Sequence, residues 1–146
     1  MSLLLTNAAA GSADRECVDS VVEILEVDGP VEVVLLDAAA DLDRVLDGRG
    51  GRRLIVAGGD GTLHRTVAAL HSRGELGDTE LGLIPLGTGN DFARSAAVSL
   101  DPEQAAKALL SGTVQPVDLV VDDACLIAVN KVHLGVGAEA SRRGAR

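Results

Sequence analysis

Leu54-Ile55-Val56-Ala57-Gly58-Gly59-Asp60-Gly61-Thr62, residues 54–62, decides the fold. A short apolar run breaks into a glycine turn. Leu63, Val67 and Leu70 then recur at i, i+4 and i+7, the spacing of one helical face. Strand, glycine turn and helix in that order present backbone N–H groups at a helix N-terminus, where an anion is welcome. The glycines suit a close backbone approach by the ligand. Asp60 is the odd member, because a carboxylate repels a phosphate unless a cation lies between them.

The design recurs at once. Leu81-Gly82-Leu83-Ile84-Pro85 reads as a strand, Leu86-Gly87-Thr88-Gly89-Asn90-Asp91 as a polar glycine loop, and Phe92-Ala93-Arg94 as the start of a helix. The two strands end at Ala57 and Pro85, 28 residues apart, close to the ~30 of a βαβ unit. In such a unit the strands are parallel, so both loops lie at one edge of the sheet, where ligands bind. Two glycine loops, each with one carboxylate, read as a nucleotide-phosphate site with a divalent cation.

Gly-Gly-Asp-Gly alone also reads as an ordinary turn; its repetition at βαβ spacing is what favours the phosphate. Neither loop matches the dinucleotide fingerprint or the Walker A loop. The only lysines, Lys107 and Lys131, are far from both loops in sequence. Phosphate charge must therefore be met by backbone dipoles, a metal or arginine.

Composition narrows the class. A chain of 146 residues is one domain with its own core. One Phe and no Trp or Tyr leave no stacking platform for bases. The net charge of −9 argues further against nucleic acid, and against electrostatic attachment to anionic lipid. Cys17 and Cys125 are too few for a disulfide framework or zinc site and are expected as reduced core residues. No stretch approaches the ~18 apolar residues of a spanning helix. A cytoplasmic protein with peripheral membrane contact at most is expected.

GGDGT at 58–62 with PLGTGNDFAR at 85–94 resembles the catalytic domain of the diacylglycerol kinase family of lipid kinases, which shares a superfamily with the NAD kinases. The first motif is common to both branches; the second is characteristic of the lipid branch. The resemblance implies transfer of the ATP γ-phosphate to a hydroxyl of diacylglycerol or a similar lipid acceptor. Gly58, Gly59, Asp60, Gly61 and Thr62, with Gly87, Thr88, Gly89 and Asn90, would hold the phosphates. Asp60, Asp91 and Asp118 would hold Mg²⁺, and Asp60 is also the candidate to orient the acceptor hydroxyl. Asp118 matches the aspartate of the family's Ile/Val-Asp-Leu motif. Asn7 and Gly11 fit a family loop that reads Asn-Pro with a later Gly, although Ala8 replaces the proline. Asp37 and the alanines after it stand where a nucleotide-contacting threonine is frequent. Val136 and Gly137 stand where Phe and Asp are usual. Two rivals remain: a pyridine-nucleotide kinase, opposed by residues 91–94, and a non-catalytic nucleotide-binding module.

The rest of the chain fits a three-layer α/β domain, a mainly parallel, Rossmann-like sheet with helices on both faces and a closing hairpin. Leu3-Leu4-Leu5 and Val31–Leu36 read as strands, 13–27 and 41–46 as helices. Asp101, Pro102 and Gln104 spell a helix start. Residues 114–121 and 125–132 read as two strands turning at Asp122-Asp123. His64, His71 and His133 are scattered and expected at surface or helix-end positions. Arg142, Arg143 and Arg146 form a basic end expected to be solvated. The whole chain, 1–146, is expected to be the nucleotide-binding domain of a lipid kinase whose second, β-rich domain lies outside these residues. Apolar surface near 132–138 would then favour homo-oligomer formation.

Overall fold

A computed structural model describes residues 1–7, 12–37 and 39–129. Within these, β1 (Ser2–Asn7), β2 (Val31–Leu36), β3 (Arg53–Gly58) and β4 (Leu81–Pro85) form a parallel sheet in the order β2-β1-β3-β4. The helices between and after them are α1 (Ser12–Leu25), α2 (Ala39–Asp47), α3 (Asp60–Ser72), α4 (Asp91–Ser95) and α5 (Pro102–Ser111). A two-stranded antiparallel pair, β5 (Val120–Val121) with β6 (Ile127–Ala128), follows.

The apolar runs of β1 and β3 are continuous because both faces of each strand are covered, as in parallel sheets generally. Leu4, Ile55, Ala57 and Ile84 face α1 and α5, meeting Val18, Val21, Leu25, Ala105 and Ala106. Leu3, Leu5 and Leu54 face the other way, against Leu42 and Leu46 of α2 and Leu70 of α3. Val56 meets Leu63 and Val67. The expected face of α3 is thus the buried one, and the three layers are as the pattern implies. Gly82 lets α5 close on β4, since a Cβ there would lie 2.9 Å from Leu109 Cδ1.

Boundaries follow local chemistry. The Asp101 carboxylate accepts the Gln104 N–H at 2.9 Å, and Pro102 occupies the first turn, so α5 starts where its cap is written. Helix α1 gives way to a 3₁₀ turn, Glu26–Asp28, and stops at Gly29 with φ 123°. At the amino edge of the sheet, Arg49 bonds Glu75 at 3.1 Å and Thr79 at 2.8 Å, binding the α2–β3 and α3–β4 connections together.

Two expectations are corrected. The closing hairpin is present but much shorter than 114–121 and 125–132, with 112–119 irregular. Val114 and Val117 are each 61% exposed, and Pro116 between them has no N–H to give a ladder, so this stretch forms no strand. The turn itself runs from Asp122 to Leu126, with the Asp122 carboxylate accepting the Ala124 and Leu126 N–H groups at 2.9 and 2.8 Å. Cys125, expected in the core, is exposed in that turn at φ 60°; Cys17 is half-buried on α1. The expectations for Ala8, Gly11, 130–138, His133 and the three terminal arginines lie outside the described residues.

Burial and capping predict separable losses. Leu70→Ala, at a fully buried position, should cost about 2–5 kcal/mol. Asp101→Ala removes only the cap of α5 and should cost about 1 kcal/mol. Urea unfolding of both variants checks the order; a loss from Asp101→Ala as large as that from Leu70→Ala would overturn it.

Candidate phosphate-binding site

The strand order turns about β1 and β3. The chain crosses from β1 outward to β2 and from β3 outward to β4, so their following loops diverge, and ligands of open α/β sheets sit where they do. Asn7 pairs with Leu36, Thr6 with Ala57 and Gly58 with Pro85. The strand ends therefore form one row, and both glycine loops rise from it.

The two loops touch through their backbones. A Cβ on Gly87 would lie 2.5 Å from the Cα of Gly59, and one on Gly59 3.0 Å from the Cα of Gly87. The Leu86 N–H donates to the Gly58 carbonyl at 3.1 Å, carrying the β3–β4 ladder into the loops. The seam bordered by Gly58, Gly59, Pro85 and Asn90 holds no water-sized space. A ligand must therefore lie on the loops, not between them.

Asp60 accounts for much of this closeness. Its Oδ2 accepts the Asp91 N–H and its Oδ1 the Phe92 N–H, both at 3.0 Å. A carboxylate from the first loop thus caps the short helix after the second, a charge-assisted pair of bonds. The sequence reading missed this role, for nothing local in 58–62 announces an acceptor needed 31 residues later. It also alters the anion site: the first N–H groups of α4 are taken.

Asn90 shapes the second loop. It is 8% exposed, with φ 51° and ψ 42°. Its Oδ1 accepts the Gly87 N–H at 3.0 Å and its Nδ2 donates to the Gly87 carbonyl at 2.6 Å. Asparagine tolerates the left-handed region and carries both a donor and an acceptor; aspartate would lack the donor. Among the described residues, no acceptor meets the N–H groups of Thr88, Gly89 and Asn90, nor those of Asp60 and Gly61 at the start of α3. Thr88 and Gly89 are exposed. These donors are the shelf on which an anion can rest.

The remaining expected residues are placed as follows. Thr62 is buried with its side chain against Gly58, where a Cβ would lie 2.9 Å from its Oγ1. Asn7 is exposed at the end of β1. Asp118 is exposed on the irregular 112–119 segment. Among the described residues, no three His, Cys, Asp or Glu side chains gather as a metal cluster, so Asp118 does not join Asp60 and Asp91 in one. A groove of about 360 Å³ opens between α2 and α3, lined by Leu36, Leu42, Asp43, His64, Arg65 and Ala68. His64 Nε2 stands 3.1 Å from the Ile127 carbonyl, linking α3 to the hairpin. The groove had no signal in the sequence, as it depends on how α2 leans on α3.

Fold and site define an α/β domain with a paired glycine shelf at the carboxyl edge of a parallel sheet. The sequence model of the diacylglycerol kinase catalytic domain matches residues 1–121, and the chain belongs to that family. A probable YegS-like lipid kinase of Cronobacter sakazakii is 41% identical over 123 residues, 81% of this chain and 40% of the relative. Another from Pseudomonas aeruginosa is 40% identical over 112 residues, 76% of this chain and 33% of the relative. The crystal structure of a diacylglycerol kinase from Bacillus anthracis superposes with a TM-score of 0.69 at 28% identity, covering 81% of this chain and 42% of that one. The chain thus spans two-fifths or less of the length of these curated relatives.

The loop contact generates opposite expectations for two glycines. Gly87→Ala sets a methyl against backbone that no rotamer change can move, and should cost about 1–3 kcal/mol. Gly61→Ala meets open space in the first turn of α3, and should stabilise the free chain by about 0.4–1 kcal/mol through the unfolded state. Melting temperatures of both variants check this; stabilisation by Gly87→Ala would mean that the loops do not touch.

Proposed function

We propose that this chain is the nucleotide-binding part of a lipid kinase that transfers the ATP γ-phosphate to a hydroxyl of diacylglycerol or a similar lipid. The observation that carries the proposal is the shelf of unaccepted N–H groups from Asp60, Gly61, Thr88, Gly89 and Asn90, drawn from two loops and held side by side. Phosphoryl transfer depends mainly on positioning and charge neutralisation. The acceptor oxygen forms its bond to the γ-phosphorus as the bond to the β–γ bridging oxygen breaks, ADP carries away that oxygen, and the hydroxyl proton is released to water. The shelf holds the phosphates in line for that exchange. The groove between α2 and α3, whose lining includes Leu36, takes the nucleoside end, and Asp37 is the next residue in the chain.

Magnesium suits these residues as an ion that arrives with the triphosphate. Each oxygen of Asp60 accepts one N–H and an ionised carboxylate has further lone pairs. Mg²⁺ commonly takes one or two carboxylates together with phosphate oxygens and water. The metal would neutralise developing charge; Asp60 and Asp91 would steer it, and Asp118 would need to approach them. Among the described residues, no helix is long and apolar enough to cross a membrane.

The chain covers 40% of its Cronobacter relative, and this supports a second wall of the cleft beyond these residues. Closing a site strengthens its electrostatics by excluding water. The 146 residues alone are accordingly expected to bind Mg-ATP but to transfer little phosphate to diacylglycerol in mixed micelles. Radiolabelled ATP reads the transfer and calorimetry the binding. Turnover matching that of a chain carrying its natural downstream sequence, where one exists, would mean that the apparatus is complete here. ATP binding without transfer by that longer chain would favour a non-catalytic binding module.

Asp60→Asn separates cap from metal. An amide oxygen can accept one of the two N–H groups but its NH₂ opposes the other, so stability should fall by about 1–3 kcal/mol. Affinity for Mg-ATP should fall further than that for metal-free ATP, measured by calorimetry below the melting range. Equal losses would remove the metal from the role of Asp60.

A further inference from the structure

Four arginines serve the amino edge. At the amino edge, Arg49, Arg52 and Arg73 pair with Glu75, Glu32 and Asp47 at 3.1, 2.6 and 2.6 Å. The hydrogen bonds to Asp47 and then Glu75 hold the Arg73 guanidinium above its ordinary pKa. Arg53 donates to the Leu109 carbonyl at 3.1 Å. These side chains hold the connections of the fold.

Arg94 differs. It lies on α4 at the carboxyl edge, and its Nε donates to the Gly89 carbonyl at 3.1 Å. Among the described residues no carboxylate pairs with it, although the chain carries 22 Asp and Glu against 13 Lys and Arg. The Nε bond keeps the guanidinium beside the loop whose Thr88 and Gly89 N–H groups are bare, and among the described residues both Nη groups are without an acceptor. A guanidinium so held can grip phosphate oxygens with two parallel donors. Gly89 also borders Asp60, whose Oδ2 lies 3.3 Å from where a Cβ of Gly89 would be. An incoming phosphate therefore meets a negative charge there, and needs a nearby positive one.

We infer that Arg94 is the phosphate-contacting cation of the shelf, anchored through Nε to Gly89 and presenting its Nη groups to a phosphate resting on 88–90. The inference rests on the proposed nucleotide-phosphate reading and adds a residue to it. Because the contact is with phosphate, it acts on ATP and ADP and leaves the nucleoside untouched.

Two substitutions distinguish charge from loop support. Arg94→Lys keeps the charge and loses the Gly89 anchor; Arg94→Gln can keep an amide bond to Gly89 and loses the charge. Calorimetry on the chain with Mg-ATP, ADP and adenosine is the measurement, with thermal melts alongside. Arg94→Gln should weaken Mg-ATP and ADP about tenfold or more, Arg94→Lys less, and adenosine affinity should not move in either. Wild-type ATP affinity in Arg94→Gln would overturn the inference and leave the nucleotide reading standing. So would a larger loss in Arg94→Lys than in Arg94→Gln, which would make Arg94 a loop-positioning residue. A wild-type chain that binds ATP no better than adenosine would overturn the nucleotide reading and the inference together.

Discussion

Everything at the carboxyl edge depends on the backbone contact between Gly59 and Gly87. Parallel strands stand ~4.8 Å apart, and side chains on the loops above them would normally push those loops outward. With hydrogen at both Cα positions the loops can close instead, and a Cβ on Gly87 would lie only 2.5 Å from Gly59. The Leu86–Gly58 bond and the Asp60 cap then fasten the contact from two sides. Because the seam is closed, bare N–H groups of both loops lie on one surface. Had the loops splayed, each would be an isolated helix start with no shared ligand.

The contact also explains a carboxylate at an anion site. Asp60 is needed wherever α4 is needed, since a helix of five residues cannot nucleate on its own bonds. Capping it from the first loop makes the position of α4, and hence of Arg94, a consequence of where β3 ends. The penalty is a negative charge beside the shelf, which only a metal or an arginine can offset. Structure and electrostatics thus set opposing demands on one side chain, and the arrangement around Gly89 answers both.

The layers were legible in the sequence because their signals are local. The unbroken apolar run at 54–57, the i, i+4, i+7 repeat after it and the Asp101-Pro102 start each need only near neighbours to be understood. The parallel course of β3 and β4 needed one further step, the length between two glycine loops. What could not be read depends on distant partners. The acceptors that use Asp60 are at 91 and 92, and the groove between α2 and α3 depends on helix packing. At 114–121 the apolar content is misleading: Pro116 interrupts the run, Val114 and Val117 are exposed, and of these residues only Val120–Val121 finds a strand partner.

The two edges of the sheet divide stability from binding by the same physical rule. At the amino edge the α2–β3 and α3–β4 connections are closed by charged partners: Arg49 is 13% exposed and bonded on both arms, and Arg73 bridges Asp47 and Glu75. At the carboxyl edge the donors of Thr88, Gly89 and Arg94 are left facing outward, and unmet polar groups are tolerated there because water reaches them. An exposed donor costs little while solvated but becomes a strong contact once a ligand displaces that water. Rigidity is what makes the difference useful. The shelf sits on strands whose carboxyl-terminal residues are buried, so its donors keep their spacing, and little ordering remains to be done when phosphate arrives.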